Sequence, residues 1–217
     1  MNSRRTMLAA GATALPAALL YKYFSGLEDA VGAATVTPVR DPGPSARYFP
    51  NVALRTHLGE RVLFYDDLIR GKIVTINFMS CRSDAVYPVT DNLVKCQRLL
   101  GERVGRDLFM YSVSVDPEYD TPERLKAFAQ AHNVGPGWVF LTGDQPHLKL
   151  VRDALFARRA TPTGDIKQGM THRMCCSIGL VRYGNEALGR WASFPARITP
   201  ESIVDRFSWV GMRPISA

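Results

Sequence analysis

The stretch Gly71-Lys72-Ile73-Val74-Thr75-Ile76-Asn77-Phe78-Met79 decides how this chain folds. β-branched residues occupy positions 73 to 76 without a break, as in a central strand buried on both faces. The strand runs into a loop that ends at Tyr87-Pro88, where proline presets φ for a first helical turn. Val89, Leu93, Cys96 and Leu100 then recur at helical spacing and give the helix one apolar face.

The same alternation continues outward. Leu108 to Val115 reads as a second central strand. Thr121 is a good N-cap with Pro122 at the first helical position and Glu123 in the first turn, and Leu125, Phe128 and Ala129 point inward from that helix. Trp138 to Leu141 is a third strand, and Gln145 to Leu155 a helix with Leu148, Val151 and Leu155 on one face. Upstream, Arg61 to Phe64 is a short strand, and Asp66-Asp67-Leu68 a turn before Gly71. Residues 157–171 are polar and glycine-containing, a surface loop. Ile178 to Tyr183 and Gly189 to Phe194 form a hairpin around Gly184-Asn185, and Thr199-Pro200-Glu201 opens a last helix. The order β-α-β-α-β-α-β-β-α predicts an α/β protein, a thioredoxin-like sandwich with a central mixed β-sheet flanked by helices.

At 217 residues and 46% hydrophobic content, the chain is expected to form one globular domain behind a leader. Ser3-Arg4-Arg5-Thr6-Met7-Leu8 is a twin-arginine pattern, followed by an apolar run from Met7 to Leu20 that is short for a membrane span. Residues 1–34 therefore read as a twin-arginine export signal, or as an anchor if they stay uncleaved, and predict a periplasmic protein, membrane-associated in the second case. Residues 35–47 are a proline-rich linker, and the domain occupies 48–217. The net charge of +7 is scattered, with no Lys/Arg stripe interleaved with aromatics, which argues against a nucleic-acid partner. The four cysteines contain no Cys-x-x-Cys and no spacing of a disulfide framework.

Four stretches carry a resemblance: Gly71 to Met79 with its loop to Pro88, Ser112-Val113-Ser114-Val115-Asp116-Pro117-Glu118-Tyr119-Asp120-Thr121-Pro122, Gly137-Trp138-Val139-Phe140-Leu141-Thr142-Gly143, and Val181-Arg182-Tyr183-Gly184-Asn185-Glu186. In this order and spacing the chain resembles the Sco/SenC family of thioredoxin-fold copper proteins. That family holds Cu(I) with a Cys-x3-Cys-Pro loop after the first core strand and a histidine just before a later one. The resemblance implies copper delivery, or reduction of the cysteines that receive copper, with a protein partner in respiratory oxidase assembly. Counted from Phe78 to Pro88, the two cysteine positions fall on Ser83 and Tyr87; counted back from Val181, the histidine position falls on Ser177. Cu(I) prefers thiolate and imidazole, whereas a serine hydroxyl is a hard, neutral donor and a phenol stays protonated at neutral pH. The scaffold is expected without its usual site.

The cysteines are displaced rather than simply missing. Cys81 lies two residues before the first lost cysteine position, and Cys175, with Cys176 beside it, two before the lost histidine. If the loops approach as in the family, Cys81 faces Cys175 or Cys176, as a disulfide or as a rebuilt soft-metal site for copper with His172 and Met174 nearby. The other reading makes Cys81 a small buried hydrophobe; Cys96, on an apolar helix face, belongs to the core. Asp116 and Asp120 fit a strand end and a helix start, His132 a helix C-terminus, and His57 and His147 have no ligand spacing. No catalytic residue stands out: there is no serine triad, phosphate loop or peroxidatic Thr-x-x-Cys, and an enzyme is not expected. Two function classes remain, an accessory protein without its own copper and a thiol redox or soft-metal protein with a relocated site.

Overall fold

The computed structural model describes residues 35–40, 42–84, 88–156 and 179–211. Its strands are β1 (Ala53–Thr56), β2 (Arg61–Leu63), β3 (Ile73–Met79), β4 (Phe109–Ser114), β5 (Trp138–Thr142), β6 (Leu180–Asn185) and β7 (Arg190–Pro195). They form one mixed sheet in the order β2-β1-β5-β4-β3-β6-β7. β3 pairs parallel with β4 from Val74–Phe109 to Met79–Ser114, and β4 pairs parallel with β5 from Met110–Trp138 to Val113–Leu141. β6 runs antiparallel to β3, with Asn77 opposite Val181 and Ile73 opposite Asn185.

Alternation along β3 builds two cores. Val74, Ile76 and Phe78 face Tyr111, Val113 and Leu141, and pack against Phe64, Leu68 and helix α3 (Gln145–Phe156) through Leu148, Val151 and Leu155. Met79, Met110, Trp138 and Phe140 face the other way, onto α1 (Val89–Leu100), α2 (Pro122–Ala131) and α4 (Pro200–Arg206). The periodic residues Val89, Leu93, Cys96 and Leu100 are all buried there. The expected caps form: Thr121 accepts from the Arg124 amide at 3.4 Å, and Thr199 from the Ser202 amide at 3.3 Å.

Three local expectations are corrected. β1, which the sequence reading leaves unassigned, is only four residues long and is specified by its partners, Leu63 opposite Ala53 and Thr142 opposite Arg55. Phe64 belongs not to a strand but to a π-helical turn, Phe64–Ile69, in the place expected for a simple turn. The β6–β7 turn lies at 186–189, not at Gly184-Asn185, which still pair with Trp191 and Arg190. Gly184 is needed within the strand because a Cβ there would sit 2.4 Å from the Trp191 ring, while Gly189, at φ +60°, turns the chain.

The proline-rich segment packs onto the domain rather than standing off it. The Thr37 amide donates to the Asn51 carbonyl at 2.8 Å, Asn51 Nδ2 to the Pro38 carbonyl at 3.3 Å, and Trp191 Nε1 to Ser45 Oγ at 3.0 Å. Glu186, 1% exposed, closes this clasp: its carboxylate accepts from Tyr65 Oη at 2.8 Å, the Ser45 amide at 3.0 Å and the Gly71 amide at 2.9 Å. Burial and the Glu186 charge push the Tyr65 phenol up to about 12, so it remains a donor. Gly43 passes so close that a Cβ would meet Glu186 Oε1 and Tyr65 Oη at 2.6 Å.

Replacing this carboxylate strands two buried donors, the Tyr65 hydroxyl and the Ser45 amide, each costing about 1–3 kcal/mol, and frees the part-buried Gly71 amide. Glu186→Ala is expected to lose roughly 3 kcal/mol or more in urea unfolding, and to red-shift Trp191 emission as Ser45 lets go. A cost below about 1 kcal/mol would show that the segment is not held through Glu186.

Candidate functional site

The site lies at the carboxyl ends of β3 and β4, where parallel strands leave backbone groups unpaired and loops collect. After Met79 the chain makes a tight turn: the Ser83 and Asp84 amides both donate to the Ser80 carbonyl, at 3.0 and 3.1 Å. Asp120, fully buried, ties this turn to β4. It accepts from the Cys81 amide at 3.1 Å and from Ser114 Oγ at 2.6 Å, while Ser114 Oγ accepts from the Asp116 amide at 2.9 Å. Asp116 in turn pairs with Arg82, whose guanidinium lies 4.6 Å from the centroid of the Tyr119 ring; Arg124 lies 4.2 Å from the same ring. The two aspartates of the 112–122 stretch thus brace the turn after β3 as well as ending a strand and starting a helix.

Of the residues singled out by sequence, the described structure places Cys81 and Ser83; Tyr87, His172, Cys175, Cys176 and Ser177 lie outside the described residues. Ser83 Oγ donates to the Ser80 carbonyl at 3.2 Å, inside the turn. Cys81 is half-buried against the α1–α2 core, and its thiol is pushed up to about 12, first by burial and then by the Asp120 carboxylate. Cys96 is buried in the same core and its thiol is likewise raised by burial. Among the described residues, no group of three or more His, Cys, Asp or Glu side chains is arranged to hold a metal ion.

One constellation escaped the sequence reading. Asp84, 6% exposed, accepts from both the amide and the hydroxyl of Thr90, at 3.2 and 2.9 Å, and so caps α1 from the preceding loop. Its other oxygen lies 3.9 Å from Nε2 of His132, whose Nδ1 is 2.8 Å from Asp91 of α1. His132 does cap the C-terminus of α2, as expected, but it also spans to the loop and to α1. An Asp six residues before a Thr is no recognised capping spacing, and no sequence rule joins either to residue 132. The other two described histidines make backbone contacts: Nδ1 of His57 accepts from the Phe140 amide at 3.2 Å with its pKa lowered by burial, and His147 Nδ1 meets the Ala53 carbonyl at 3.1 Å.

Residues 52–191, well over half of the chain, match the SCO1/SenC family profile. The chain belongs to the SCO1/SenC family. Solved structures agree on the thioredoxin-like fold. Bradyrhizobium japonicum ScoI with copper bound matches at 22% identity and TM-score 0.52, covering 73% of this chain and 96% of that one. Yeast Sco1 with copper bound matches at 17% identity and TM-score 0.54, over 72% and 87%. A SCO1/SenC family lipoprotein from Bacillus anthracis matches at 18% identity and TM-score 0.55, over 81% and 100%. No curated protein matches the sequence. At these identities the structural likeness speaks to the fold of this SCO1/SenC protein, and its chemistry rests on its own residues.

A thiol raised from 9.0 to about 12 carries a roughly thousandfold smaller thiolate fraction at pH 8. Alkylation of the Cys81 peptide by iodoacetamide, followed by mass spectrometry, is therefore expected to be at least about a hundredfold slower in the folded than in the unfolded protein. Asp120→Asn removes one raising charge and should speed it. Equal folded and unfolded rates would contradict the burial of this thiol.

Proposed function

We propose that this protein is an exported SCO1/SenC accessory in copper handling or cytochrome oxidase assembly that works without the family's usual Cu(I) ligands. The observation that carries the reading is Ser83: at the first cysteine position of the family's loop stands a neutral hydroxyl already engaged with the Ser80 carbonyl. A soft cation gains little from such a donor. Tyr87 and Ser177, the other two ligand positions, supply a phenol and a second hydroxyl. Support for the setting comes from family membership and from the named relatives, two with copper bound and one, BsSco, described as a member of a family of cytochrome c oxidase assembly proteins.

The twin-arginine pattern at Arg4-Arg5 supports a reading of residues 1–34 as export signal or anchor and of the periplasm as the place of work, and family membership supports a protein partner. Among the described residues no helix is long and apolar enough to cross a membrane. Copper itself is then the partner's cargo rather than a resident group.

Anaerobic Cu(I) titration of the reduced full chain against a competing chelator tests this directly. The wild type and Cys81→Ser are expected to behave alike, with no binding above the competitor. The triple variant Ser83→Cys, Tyr87→Cys, Ser177→His is expected to bind one Cu(I) tightly, since it restores two thiolates and an imidazole to the scaffold. Tight wild-type binding lost in Cys81→Ser would overturn the proposal in favour of a site rebuilt around Cys81 with Cys175, Cys176 and His172.

A further inference from the structure

We propose that β7 is a docking edge on which an extended, acidic segment of a protein partner adds as a further strand, with a carboxylate opposite Ser193. The inference goes beyond the proposed function and stands without it. It starts from the two edges of the sheet, β2 and β7. An edge strand presents unpaired amides and carbonyls, which most proteins blunt and some use to take up a partner's strand. β2 is blunted: it has three residues and leads directly into the Phe64–Ile69 turn. β7 is not. It runs six residues in unbroken register with β6, from Asn185 opposite Arg190 to Leu180 opposite Pro195, with proline only at its last position.

Hydrogen-bond parity shows which backbone groups are free. The Ala196 amide donates inward to the Gly179 carbonyl at 2.9 Å, and the Glu186 amide donates away from β7, to the Lys72 carbonyl at 3.0 Å. By the two-residue period of a strand, Arg190, Ala192 and Phe194 then face β6, and the amides and carbonyls of Trp191 and Ser193 face outward. Among the described residues none of these outward groups has a partner. The Pro195 carbonyl is taken by the Ile198 amide at 3.3 Å, which ends the open ladder. The strand is fixed before any partner arrives: the Trp191 ring lies 4.6 Å from that of Phe49, its Nε1 donates to Ser45, and Phe194 is buried on the opposite face.

The charge beside this edge selects the occupant. Arg182 of β6 lies opposite Ser193, half-buried, and donates through Nη1 to Ser193 Oγ at 3.2 Å. Its Nε is cut off from water without a hydrogen-bond partner, and burial lowers its pKa with no carboxylate among the described residues to oppose it. Arg190 and Arg197, exposed at and just beyond the two ends of the strand, are likewise outside every ion pair among the described residues. Three guanidinium groups along one edge favour an acidic strand and disfavour a second β7, which would bring the same charges. On a strand paired to β7, the residue opposite Ser193 shares its face at about 5 Å, Cβ to Cβ. An Asp or Glu there supplies the counter-charge that Arg182 lacks.

The test is titration of the full chain with the blocked peptide acetyl-Thr-Val-Thr-Glu-Thr-Val-Thr-amide, read by NMR amide exchange corrected for intrinsic rates. Before addition, the Trp191 and Ser193 amides are expected to exchange at least about tenfold faster than those of Ala192 and Phe194. At saturation they are expected to gain at least about tenfold in protection, while Ala192 and Phe194 stay unchanged. The peptide with Lys in place of Glu should bind at least about tenfold more weakly, and Arg182→Gln should remove most of that preference. Ser193→Pro deletes an outward amide, spares every backbone bond to β6 and should abolish binding. No protection of Trp191 and Ser193 up to about 5 mM peptide overturns the proposal, as does equal binding of the two peptides. A dimer that forms with rising protein concentration and by itself protects the two amides overturns it in favour of a second copy. Should Ser193→Pro not fold, the alternation of protection along wild-type β7 carries the same test.

Discussion

Burial of β3 on both faces is the constraint from which the rest of this molecule follows. Val74, Ile76 and Phe78 must be covered on one side and Met79 on the other, so helices are needed on both faces of the sheet. With β4 and β6 as its neighbours, the strand has no free edge, and its chain can leave only at its ends. At the carboxyl end, the emerging turn falls between the end of β4 and the start of α1. The polar groups buried there, among them Ser80, Ser114 and Asp120, lose water and must find partners within the protein. The site is thus a product of strand burial before it is a product of any ligand.

How those partners are found explains the character of the site. Asp120 and Glu186 are almost completely buried, and both are satisfied by amides and hydroxyls rather than by a cation. Donors already built into the backbone stabilise such a carboxylate without burying a second charge. Glu186 uses this to hold the proline-rich segment; Asp120 uses it to hold the turn after β3. Burial first, and then the Asp120 carboxylate, keeps the Cys81 sulfur a thiol. A neighbourhood organised to satisfy carboxylates disfavours a thiolate.

Much of the scaffold is written in local pattern. The β-branched run at 73–76, the i, i+3, i+4 residues of α1 and the Thr-Pro starts of α2 and α4 each report a short-range preference, and each element formed where those signals stand. β1 and the position of the β6–β7 turn were not legible. A four-residue strand carries too little periodicity to announce itself. The choice between Gly184-Asn185 and Gly189 as the turn depends on where the Trp191 ring lies, which is a cross-strand matter.

The sequence by itself determined the α/β class, the order of the central elements and the family, because these depend on periodicity and spacing within one segment at a time. Only the tertiary structure decided that Asp84, Asp91 and His132 meet, that Glu186 clasps Ser45, and that Asp120 stands beside Cys81. The physical reason is that hydrogen bonds and charge pairs reach only a few ångströms, while these partners lie 39 to 141 residues apart along the chain. Their meeting is fixed by strand order and helix packing, which no single segment encodes.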